Sequence, residues 1–98
     1  MHVQVDRDAI AEFCRRHRIR KLAFFGSVLR DDFGPNSDVD VLVEFEEDAH
    51  VSLFDIVRME EELSAILGRK ADMRTPQDLS RYFRDRIMRT AVVQYAAE

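Results

Sequence analysis

Hydrophobic positions along this chain recur with two different periods, and the changes of period mark its elements. In "DRDAIAEFCRRH" Ile10, Phe13 and Cys14 share a face at helical spacing, with Asp6 placed to cap the first turn. "KLAFFG" is a continuous apolar run stopped by Gly26, the pattern of a buried strand, and "SVLRDD" suits a brief helix opened by Ser27. "DDFGPNS" gathers Gly34, Pro35 and Asn36 into a turn. "DVDVLVEF" then alternates as a second strand, with Val39, Val41, Val43 and Phe45 on one face and Asp38, Asp40, Leu42 and Glu44 on the other.

The second half returns to helical spacing. "SLFDIVRMEEELSAILG" carries a stripe of Leu53, Ile56, Val57, Leu63 and Leu67, a Ser52–Asp55 capping pair and Gly68 as a stop. "KADMR" is short enough for a third strand. Thr75, Pro76 and Asp78 read as cap, first helical residue and acidic follower. From Ser80 almost to the end a helix is expected, with Phe83, Ile87, Ala91 and Tyr95 on one face. Strands with helices between them imply an α+β or α/β arrangement, a small sheet covered by helices. With no repeat, linker or low-complexity tract, residues 1–98 are expected to form one domain.

Composition narrows the class. A hydrophobic fraction of 46% and a charged fraction of 35% describe a folded, water-soluble chain. No apolar run approaches the roughly 18 residues of a membrane helix, and the first 20 residues lack a signal-peptide pattern, so no membrane association and a cytoplasmic location are expected. The single cysteine, Cys14, cannot form an internal disulfide and lies on an apolar stripe, where a core filler is favoured over a nucleophile. The net charge of −4 argues against direct nucleic-acid binding. "RYFRDRIMR" concentrates four arginines, which suit a solvated helix face or contact with an acidic partner protein. His2, His17 and His50 share no zinc spacing, and His17 suits the dipole at the end of the first helix. Met59, Met73 and Met88 are expected in the core, and Tyr82 and Tyr95 are expected to pack.

The chemistry concentrates in "GSVLRDDFGPNSDVDVLV". Residues two apart on a strand project to one face, about 6.5–7 Å apart, so Asp38 and Asp40 converge. Left bare they repel, and a divalent cation removes that penalty. Mg²⁺ suits the pair, because it commonly takes one or two carboxylates and completes its shell with water and phosphate oxygens. At the other end of the stretch, Gly26 lets the backbone approach a ligand, and Ser27 offers a hydroxyl and neighbouring N–H groups to phosphate. A nucleoside triphosphate chelated to Mg²⁺ needs both ends. A calcium loop would place Asn36, Asp38, Asp40 and Glu47 at its first, third, fifth and twelfth positions, but Val41 stands where that loop demands glycine. An ordinary exposed Asp-x-Asp turn is the plainer alternative.

Gly26-Ser27, ten intervening residues, then Asp38-Val39-Asp40 resembles the signature of the DNA polymerase β-type nucleotidyltransferase superfamily. "FFGSVLR" and "NSDVDVLVEF" resemble its minimal nucleotidyltransferase branch, with Arg30 and Ser37 in place, and "GRKADMRTPQDL" offers Asp72 as that branch's third acidic residue. The resemblance runs from about Lys21 to Arg89. Asp31 stands where the branch more often has glycine, and "ADMR" replaces a more apolar strand.

The resemblance implies a nucleotidyltransferase fold, a small mixed β-sheet with helices. It further implies that Asp38, Asp40 and Asp72 are catalytic and hold Mg²⁺, as two ions, with Asp72 also assisting as base. Gly26 and Ser27 would hold the β- and γ-phosphates of ATP. Arg30 would neutralise triphosphate charge or form a surface ion pair; Ser37 would bind nucleotide or shape the turn. Proteins of this branch resemble antitoxins that transfer AMP to a tyrosine hydroxyl of a HEPN-type ribonuclease toxin, which makes such a toxin the expected partner. The late helix could supply that interface or finish the core. The competing expectation is a binding module that neutralises the toxin by complex formation, with little turnover. An RNA or antibiotic nucleotidyltransferase would need a substrate-binding domain beyond these residues.

Overall fold

In the computed structural model the described residues are 3–31 and 33–97; His2, and Asp32 of the expected turn segment, lie outside them. The chain forms helix α1 (Arg7–Arg16), strand β1 (Ile19–Phe25), a 3-10 turn (Gly26–Leu29), strand β2 (Val39–Phe45), helix α2 (Leu53–Leu67), strand β3 (Ala71–Arg74), a second 3-10 turn (Pro76–Asp78), helix α3 (Arg81–Thr90) and strand β4 (Val92–Ala96). The four strands make one mixed sheet in the order β3-β2-β1-β4, with β2 and β3 parallel and the other pairs antiparallel. This is the small mixed sheet with helices that the resemblance implies.

The expected caps hold the helices in register. The Asp6 carboxylate accepts from the Ala9 N–H at 3.1 Å. Ser52 and Asp55 exchange hydrogen bonds at 3.2 and 2.9 Å, closing the capping box at the start of α2. Gly68 ends that helix in the left-handed conformation, φ 69°.

Period-two alternation decides which face of the sheet is buried. Leu22 and Phe24 of β1, Val39, Val41 and Val43 of β2, and Ala71 and Met73 of β3 form one buried cluster with Ile10, Phe13 and Cys14 of α1 and Met59, Leu63 and Leu67 of α2. Both helices therefore cover the same face. Burial pushes the Cys14 thiol up to about 12, so it packs and does not react. The opposite face carries rows set by strand register: Phe25–Asp40–Asp72, then Ala23–Leu42–Arg74, then Lys21–Glu44.

Four expectations are corrected. The last helix stops at Thr90, and "VVQYA" is a strand pairing antiparallel with β1, Tyr95 opposite Leu22. Adjacent valines and a tyrosine favour a pleated surface, and the open edge of β1 supplies one. In α2, Leu53 (84% exposed) and Val57 lie outside the core, which takes Met59 in their place; Leu53 borders an open groove with Ile56, Met73 and Thr75. The short helix after Gly26 is a 3-10 turn ending at Leu29, and Arg30 follows it in extended conformation. Tyr82 (78% exposed) and Met88 lie on α3, which buries none of its residues, so neither is a core residue.

Candidate active site

The end of β1 and the start of β2 meet because the two strands are antiparallel neighbours, with Phe25 opposite Asp40. The next residue, Gly26, turns the chain with φ 74°, and a Cβ there would lie 2.3 Å from Asp40 Oδ2. No other residue type fits both the dihedral and the gap. The turn brings the Ser27 N–H to the Asp40 carboxylate as a hydrogen-bond donor, while Ser27 Oγ donates to the Asp38 carbonyl at 3.3 Å. Gly26 and Ser27 thus sit directly against the Asp-x-Asp segment.

Asp72 joins them by register, directly opposite Asp40 on the parallel neighbour β3. Burial, and then the Asp72 charge, raise the Asp40 pKa above its ordinary value; the Ser27 N–H and the Arg74 charge pull the other way. The two outer carboxylates have cationic neighbours: Asp72 accepts from Arg74 Nη1 at 3.0 Å, and Asp38 lies 4.0 Å from Lys70 Nζ. As the side chains stand, no three His, Cys, Asp or Glu groups among the described residues are close enough to hold an ion by themselves. The donor chemistry nonetheless suits Mg²⁺: hard carboxylate oxygens, with one or two sufficient when water and phosphate complete the shell. The missing Cβ of Gly26 keeps the near side of Asp40 clear.

Ser37 and Arg30 both fasten turns beside these residues. Ser37 closes the turn, its N–H donating to the Gly34 carbonyl and its Oγ accepting from the Gly34 N–H, each at 3.1 Å. The Arg30 N–H donates to the Ser27 carbonyl at 2.9 Å and fastens the 3-10 turn. Sequence reading passed over Arg69, Lys70 and Arg74. Alternation would have found Arg74, two residues beyond Asp72 on the same strand face. Lys70 was visible within "GRK", but its approach to Asp38 depends on the fold.

Comparisons with known proteins bear on the family and the fold. The family model described as a nucleotidyltransferase domain matches residues 7–93. A Methanocaldococcus jannaschii protein provisionally named protein adenylyltransferase is 34% identical over 92 residues, 94% of this chain and 97% of its own length. A solved structure described provisionally as a minimal nucleotidyltransferase is 34% identical, with TM-score 0.72, and the match covers 88% of this chain and 86% of that one. A toxin–antitoxin structure with AMP-PNP shares the fold at TM-score 0.74 and 14% identity, covering 96% of this chain and 76% of that one.

Proposed function

The chain belongs to the nucleotidyltransferase domain family, and on that premise we propose that it transfers AMP from ATP to a tyrosine hydroxyl of a HEPN-type toxin, silencing it as an antitoxin. The observation that carries this reading is the Asp40–Asp72 pairing, with the Gly26-Ser27 turn seated on the Asp40 carboxylate. A pair of like charges placed opposite each other costs stability, and such a cost persists where a ligand relieves it.

In this reading Asp38, Asp40 and Asp72 would hold Mg²⁺, and the chemistry it would supply is Lewis-acid polarisation of phosphoryl oxygens. The tyrosine oxygen forms a bond to the α-phosphorus, the bond from that phosphorus to the bridging oxygen breaks, and pyrophosphate leaves with the electron pair. Asp72 takes the tyrosine proton. Gly26 and Ser27 bind the β- and γ-phosphates, the Ser27 N–H and hydroxyl giving up their bonds to Asp40 and Asp38 to do so, and Arg30 offsets the phosphate charge. No helix among the described residues is long and apolar enough to cross a membrane. The acceptor surface is read from exposed apolar residues: Leu53 and Phe54 on α2, and Tyr82 and Phe83 on α3, among the arginines of that helix. The relatives' names and the toxin–antitoxin fold neighbour support a protein acceptor.

A second reading keeps the interface and drops the turnover. It is favoured by the Arg74–Asp72 ion pair, which occupies one of the three carboxylates. Incubation with α-labelled ATP, Mg²⁺ and a HEPN-type toxin separates the two. Label on a toxin tyrosine, lost in Asp40→Asn, supports the transferase. Unlabelled toxin that the variant still inhibits at full strength supports the binder.

A further inference from the structure

Asp38 lies in a loop, one residue before β2, where a side chain's position depends on what holds the backbone. Two consecutive residues ahead of β3 hold it from both sides. Upstream, Arg69 Nη1 donates to the Gly34 carbonyl at 2.6 Å, across 35 residues of sequence, and the guanidinium lies 4.5 Å from the centroid of the Phe33 ring. Downstream, the Lys70 carbonyl accepts from the Val39 N–H at 2.8 Å. Between these ties the turn is closed by the two Gly34–Ser37 bonds, and the Asp38 carbonyl accepts from Ser27 Oγ.

Gly34 is the hub of this arrangement, since its carbonyl accepts from both Arg69 and the Ser37 N–H. A planar guanidinium can lie on the Phe33 ring and donate in its own plane at the same time, which an ammonium cannot do as well. Residues 33–38 therefore take their position from the α2–β3 connection, the segment that also carries Asp72 into β3.

We propose that Arg69 is a positioning residue for the metal–nucleotide site: by clamping the Phe33–Gly34 end of the loop it fixes Asp38 relative to Asp40 and Asp72. Arg69 acts through its contacts with the Gly34 carbonyl and the Phe33 ring. This rests on the nucleotidyltransferase reading of the site. Partners of this kind, which orient a metal ligand from behind, typically change metal affinity or activity by about 10–100-fold when removed.

The test is Mn²⁺ binding in the presence of AMP-PNP, followed by calorimetry, alongside amide exchange and the thermal midpoint of the metal-free protein. Arg69→Ala is expected to weaken Mn²⁺ binding by about 10–100-fold and to speed exchange at Ser37 and Val39. Arg69→Lys, which still reaches the Gly34 carbonyl but loses the stacked plane, should recover part of both. A lower thermal midpoint with Mn²⁺ affinity and exchange at wild-type values makes Arg69 merely structural and overturns the proposal. Should Arg69→Ala not fold, Arg69→Lys and Phe33→Leu each remove one contact and are read the same way, with smaller losses. A wild-type protein that binds no Mn²⁺ overturns the reading of the site, and this inference with it; wild-type binding matched by the variants overturns the inference alone.

Discussion

Asp40 on β2 stands directly opposite Asp72 on β3, two carboxylates on parallel strands whose backbones run about 4.8 Å apart. Burial first, and the Asp72 charge second, hold the Asp40 carboxyl above its ordinary pKa against the pull of the Ser27 N–H and the Arg74 charge. The fold therefore keeps on its open face an acidic pair whose fully ionised form is disfavoured until a cation or a proton relieves it.

Replacing Asp40 by Asn should stabilise the metal-free protein while abolishing transfer. The amide can still accept the Ser27 N–H but carries no charge beside Asp72. The sign follows from the raised folded pKa. The carboxyl binds its proton more tightly folded than unfolded, so wild-type stability falls relative to the variant as the pH rises from about 3.8, the ordinary value, through the folded value. Thermal melts in EDTA across that range should show equal midpoints at the acid end and an Asn advantage of a few °C, roughly, at neutral pH.

Mg²⁺ should reverse that order. Added with AMP-PNP, it should raise the wild-type midpoint and leave Asp40→Asn unchanged, because binding only to the folded state stabilises it. Mg²⁺ and the proton compete for the same carboxylates, so the affinity should increase with pH through the Asp40 titration. Calorimetry at several pH values checks this.

Gly26→Ala should fail on two counts. The added methyl meets Asp40 Oδ2 at 2.3 Å, and φ is 74°. The expected cost is on the order of 2 kcal/mol in chemical denaturation, and nucleotide binding should be lost because the turn and Asp40 cannot both keep their places.

The exposed apolar residues should matter to the partner and not to the fold. Phe54 and Phe83 are 81% and 55% exposed. Phe83→Ser and Phe54→Ser should each change stability by no more than about 0.5 kcal/mol and leave AMP-PNP binding intact, while lowering labelling of the toxin. Unchanged labelling would move the acceptor surface elsewhere.

What the sequence reveals here depends on the range of the interaction. Period-two alternation separates Val39, Val41 and Val43 from Asp38 and Asp40, and caps such as Ser52–Asp55 are written within four residues. The strand at Val92–Ala96 is misread because Phe83, Ile87, Ala91 and Tyr95 also fit a helical repeat, and only the open edge of β1 decides between the two. Leu53 and Val57 fit the helical stripe as well as Leu63 and Leu67 do, but in the fold both are exposed. The Arg69–Gly34 clamp spans 35 positions, and no local spacing signals it. The place of Asp72 is legible only through the family pattern, since a four-residue strand has too few positions to show a period.

The most direct test is a crystal structure with Mn²⁺ and AMP-PNP, read by anomalous scattering. Manganese peaks within about 2.5 Å of carboxylate oxygens from Asp38, Asp40 and Asp72, with the triphosphate on Gly26 and Ser27 and Asp72 released from Arg74, are the predicted result. An ion-free Asp40–Asp72 pair, with Arg74 still on Asp72 and nucleotide elsewhere, would contradict it.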